Sequence, residues 1–121
     1  MTYCCLYDEH VIGAWQPWMG EQLQNWWNHA EAMVLAHHRH EEELFFPKLS
    51  ERFKVPERMS SDHAELLQNS KRVATAITKV CTAQDDATRT TGLQEATTAM
   101  QHHSEHMREH LLEEEQQVLP L

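Results

Sequence analysis

The sequence predicts an all-α fold: an antiparallel up-down four-helix bundle whose first helix is short or truncated. Three observations point there. Only 3 Gly and 4 Pro occur in 121 residues, against long stretches of Glu, Gln, Ala, Leu and Met, whose side chains lose little rotamer freedom in a helix. The breakers fall in a few places and divide the chain into four segments. Three of those segments carry apolar residues at alternating steps of three and four, the core seam of an antiparallel bundle. A chain of this length fits a single domain, residues 1–121, with one continuous core.

The first predicted helix spans about residues 3–15 and ends near Pro17 and Gly20. The second runs from about 19 to 53 and stops at Lys54-Val55-Pro56, because the residue before proline is pushed out of helical geometry. A third begins between Pro56 and Asp62, where Asp62 and Glu65 read as a capping box, and continues to about Thr82. A polar loop over 83–91 follows, with Asp85 or Asp86 as the candidate cap and Gly92 weakening the first turn beyond it. The fourth helix runs to about Val118 and ends at Pro120.

On the second helix the seam reads Trp27, Ala30, Val34, His37, Glu41, Leu44. On the third it reads His63, Leu66, Ser70, Val73, Ile77, Val80, and on the fourth Leu93, Ala96, Met100, His103, Met107, His110, Glu114. Each stripe carries polar residues where a core residue belongs. Buried His and Glu are costly unless hydrogen-bonded, ion-paired or metal-bound, and an i, i+4 spacing aims both into one volume.

Composition narrows the functions. A formal charge of −9 argues against nucleic acid, whose phosphates require clustered Lys and Arg. No apolar run is long enough to span a bilayer, and no charged-then-apolar leader is visible. The three cysteines, Cys4, Cys5 and Cys81, have no framework spacing. They read as reduced thiols of a cytoplasmic protein, packed as small apolar residues. Ten histidines stand out, dense at 37–40 and 102–110 with His63 between. Histidine is the commonest metal-ligand side chain.

His37 and Glu41 form HxxxE, and so do His110 and Glu114. One such pair is weak evidence, since a solvated helix face produces it often. Here the offsets repeat through to proline: His37, Glu41 and Pro47 match His110, Glu114 and Pro120. If the third and fourth helices turn near residue 86, His63 and His110 lie at nearly the same height, at ~1.5 Å per residue.

With these stretches in view, HHRHEEELFFPKL (His37–Leu49), DHAELL (Asp62–Leu67) and EHLLEEEQQVLPL (Glu109–Leu121) resemble the signatures of the hemerythrin-like, or HHE cation-binding, domain family. The resemblance covers residues 25–121. It implies a four-helix bundle holding an oxo- or hydroxo-bridged diiron centre, with His37, Glu41, His63, His110 and Glu114 as metal ligands and His10 as the candidate on the first helix.

Two departures from the family pattern stand out. With a turn at Pro17–Gly20, His10 lies about 8 residues from it and His37 about 19, a mismatch of ~16 Å along the axis. A histidine near the bundle's end is the other reading of His10. Some members carry a further histidine on the third helix where this chain has Leu67. His38, Glu42, His106 and Glu113 lie near enough to adjust the set, with supporting or surface roles preferred for His38 and His106. His29, His40 and His102 read as solvated.

A mixed imidazole and carboxylate set with open positions suits iron, whereas zinc favours a more closed site with fewer carboxylates. The expected function is binding or sensing of O2, NO or peroxide at a non-haem, diiron site. The alternatives are iron storage, sensing or delivery, a diiron redox enzyme, or a metal-free interaction bundle. Ferritin-like oxidases use Glu-x-x-His, the reverse of the order here. No nucleophile–base constellation or phosphate loop supports a conventional enzyme, and no protein partner is indicated.

Overall fold

The computed structural model describes residues 15–121, and the predicted first helix with His10 lies outside the described residues, apart from Trp15, which precedes the first observed helix. Helix α1 spans Pro17–His40 and passes without a break through a π-helical turn, Glu41–Phe45, into α2, Phe46–Ser50. Helix α3 spans Arg58–Thr82 and α4 spans Asp86–Gln117. No strand occurs among the described residues. Nor is any helix among them long and apolar enough to cross a membrane.

Pro17 opens α1, where a missing N–H costs nothing and the fixed φ suits the first turn. Asp85 caps α4: its side chain accepts from the Thr88 backbone N–H at 2.7 Å and from the Thr88 hydroxyl at 3.0 Å. A cap of this kind is worth about 1 kcal/mol. It starts the helix at once, so the connection from α3 is Ala83–Asp85 and not the longer loop expected over 83–91. The expected Asp62–Glu65 capping box does not form. Helix α3 begins earlier, at Arg58, and Asp62 sits inside it as a buried side chain.

The seam of α3 is the expected one: His63, Leu66, Ser70, Val73, Ile77 and Val80 are all buried. On α4, Leu93, Ala96, Met100 and His110 are buried, with His103, Met107 and Glu114 partly so. The seam of α1 differs from expectation. It follows Trp27, Glu31, Val34, His38 and Glu41, while His37 and Leu44 are exposed. Both seams alternate in threes and fours and share Trp27, Val34 and Glu41. Apolar Ala30 made the other one look better, but Glu31 is held inward by the Ser70 hydroxyl, which donates to its carboxylate at 2.8 Å.

The π turn then resets the register. The Phe46 N–H donates to the Glu41 carbonyl, one residue further than in an α-helix, so Glu41 and Phe46 are both buried at a spacing of five. Such turns often accompany functional sites. Two apolar clusters result. Trp27, Val73, Ala76, Ile77, Ala96 and Met100 form one, and Phe46, Met59 and Val118 the other. On each of α1, α3 and α4 a polar layer lies between them.

Helices α3 and α4 approach closely at Gly92, where an added Cβ would stand 3.0 Å from Val80 Cγ2 and 3.2 Å from the Val80 backbone nitrogen. Alanine is ordinarily better than glycine inside a helix by about 1 kcal/mol. Here the backbone neighbour cannot swing away, so Gly92→Ala is expected to lower the thermal midpoint. A melt followed by circular dichroism checks it, and a raised midpoint would show that the two helices separate freely.

Candidate metal centre

The polar layer is built from α1, its π turn, α3 and α4. His38, Glu41, His63 and His110 are all buried, and one ligand atom from each lies within 4.8 Å of the others. His63 Nε2 and His110 Nε2 face each other at 3.1 Å, as the equal heights of these residues require. The His38 ring stacks on His63 with centroids 4.0 Å apart. A second group, His37, Glu41 and Glu114, meets the same distance limit and shares Glu41 with the first. His37 reaches it from the rim: its Nε2 is 3.2 Å from Glu41 Oε1, although the side chain is 59% exposed.

The histidines are oriented from behind. His110 Nδ1 lies 3.2 Å from Asp62 Oδ2, and His63 Nδ1 lies 2.7 Å from Glu42 Oε1. In each case the carboxylate holds the Nδ1 proton and leaves Nε2 pointing into the layer, an arrangement typical of metal-bound imidazoles. Asp62, read from sequence as a cap, is thus the positioning residue for His110. The available signal was its place beside His63 in DHAELL. His38 was ranked below His37, and its signal was the alternative seam through Glu31.

Electrostatics sort the groups by their hold on protons. Burial pushes His38 down to about 4, and His63 beside it adds to the drop, so at neutral pH His38 offers a free lone pair. Burial also pulls His63 down, but Glu41 and Glu42 outweigh it and hold this imidazole above its usual range. Burial pushes Glu114 up to about 7, reinforced by the neighbouring Glu41. For Glu41 burial acts upward too, yet His63, Glu114 and His37 together hold it below the usual carboxylate range.

The donor set fits a cation. Both carboxylate oxygens of Glu41 and Glu114 Oε2 are buried without a hydrogen-bond partner, close as their histidine neighbours are. A buried unpaired polar atom costs about 1–3 kcal/mol, more when charged. Three such atoms facing the Nε2 atoms of His37, His63 and His110 are what a positive charge in the layer would satisfy. Protons compete with it. Glu114 and His63 hold theirs unusually tightly, whereas His38 lost its own far below neutrality. Metal affinity is therefore expected to rise as pH climbs through about 7. Chelator competition on either side of that pH checks it, and an affinity that is flat or falls would contradict it.

The sequence-predicted residues divide as follows. Glu41, His63, His110 and Glu114 come together in the layer, His37 joins from its rim, and His10 lies outside the described residues. No curated protein and no solved structure matches the chain. The family model described as the hemerythrin HHE cation-binding domain matches residues 7–121, nearly the whole sequence, and the chain belongs to that family.

Proposed function

We propose that this chain binds two irons in the layer between α1, α3 and α4 and uses them to bind or sense O2, NO or peroxide. The observation that carries this reading is that two ligand groups overlap at one buried carboxylate, Glu41. A carboxylate shared between them holds two cations close together and offsets their repulsion. His38, His63 and His110 supply the imidazoles on one side, with Glu114 and His37 on the other. The mixture of imidazole and carboxylate suits iron better than zinc or magnesium.

Iron bound there would supply open coordination positions for a small ligand. The chain itself keeps His110 and His63 in one tautomer through Asp62 and Glu42. It also brackets the layer with apolar side chains, Phe46 and Met59 on one side and Trp27 and Met100 on the other. The resulting low dielectric strengthens every charge interaction in the layer. The test is an absorption spectrum of iron-reconstituted protein, recorded reduced and then after exposure to O2, to NO and to peroxide in turn. Ligand-dependent bands that reverse on removal support binding or sensing. Iron that stays bound while its spectrum ignores all three supports iron handling instead.

A further inference from the structure

We propose that Ser60 is a positioning residue of the layer: it anchors Glu42, and Glu42 in turn keeps the His63 proton on Nδ1 and leaves Nε2 bare. The Ser60 hydroxyl donates to Glu42 Oε2 at 2.9 Å, and Glu42 Oε1 takes the His63 Nδ1 proton at 2.7 Å. Ser60 and His63 stand an i, i+3 step apart on α3, hence on one face of that helix. One carboxylate from the π turn bridges both and ties the turn to α3.

His63 needs such an anchor because its two nitrogens face two carboxylates. Glu42 Oε1 lies 2.7 Å from Nδ1, and Glu41 Oε1 lies 3.5 Å from Nε2. A neutral imidazole carries one proton, which stays with the closer and better-fixed acceptor. When Glu42 swings away, Glu41 becomes the stronger acceptor and draws the proton to Nε2, the atom that faces His110 across the layer at 3.1 Å. A protonated Nε2 has no lone pair to give a cation.

Burial does not fix Glu42. Its side chain is 39% exposed, and among the described residues no lysine or arginine pairs with it. Asp62, which does the same for His110, is buried, so the two histidines are held by unlike means. The neighbouring Ser61 gives its hydroxyl to the Arg58 carbonyl of its own helix at 3.2 Å, and only Ser60 of this pair reaches the π turn. The effect of Ser60 on metal rests on the layer being an iron site; its effect on the His63 ring does not.

The ring is read in the metal-free full chain by nitrogen NMR of the His63 side chain, at a pH high enough to leave the imidazole neutral. Wild type is expected to show Nδ1 protonated and Nε2 bare. Ser60→Ala should move the balance toward protonated Nε2 by about fivefold, the effect of one hydrogen bond, and Ser60→Thr, which keeps the hydroxyl, should restore it. Chelator competition for Fe(II) should find Ser60→Ala weakened by a similar factor, and without further effect once Glu42 is replaced by Ala. Identical His63 spectra in wild type and Ser60→Ala would overturn the proposal, and so would an equal loss of affinity from Ser60→Ala with and without Glu42. A ring that shifts as expected in a chain that retains no iron would uphold the role of Ser60 and contradict the iron reading alone.

Discussion

Replacing Glu41 by Ala is expected to abolish metal retention, while replacing Glu43 by Ala leaves it nearly unchanged. Glu41 is the one residue common to both groups of the inner layer, is 4% exposed, and has both side-chain oxygens buried without a hydrogen-bond partner. Glu43, two residues on, is exposed. Removing Glu41 deletes the negative charge that two close cations need, and the π turn that seats it offers no substitute, because Glu42 is taken by His63 and Ser60. Removing a buried charged ligand also leaves its partners unpaired, a loss of several kcal/mol in comparable sites. Metal analysis after desalting reads the result. Equal loss from both variants would mean that the buried layer does not hold the metal.

The second large effect is on stability. Stripping the metal leaves the Glu41 and Glu114 carboxylates in the layer with buried oxygens that have no hydrogen-bond partner. Each unsatisfied group costs about 1–3 kcal/mol, against a total stability of ~5–15 kcal/mol for a domain. A cation that binds only the folded chain adds about 4 kcal/mol when present at a thousand times its dissociation constant. The chelated protein should therefore melt about 10 °C or more below the metal-loaded one. A thermal melt with and without chelator decides this. Coincident curves would favour a metal-free interaction bundle.

Most of this fold could be read from spacing. On α3 the 3–4 rhythm had a single apolar solution, so each of its seam residues is buried as expected. The height match of His63 and His110 needed only the rise of a helix and a short turn, and their ring nitrogens meet at 3.1 Å. On α1 the rhythm had two solutions one residue apart. Hydrophobicity chose Ala30 and His37, because nothing in the local sequence tells that Ser70, distant along the chain, will satisfy Glu31. The π turn was equally hidden, since EEELF differs in no obvious way from ordinary helix. Asp62 misled for a related reason: an acid near a helix start reads as a cap until the helix is seen to begin at Arg58. What spacing could not supply was the tertiary partner of each polar side chain, and those partners decide which histidine faces inward.

The buried His and Glu layer is proposed as a metal site with room for two cations. The most direct test is iron content after anaerobic Fe(II) reconstitution and desalting. One iron is expected for each of the two groups that share Glu41, and both should be lost in Glu41→Ala. Protein that retains no iron after this treatment would contradict the claim.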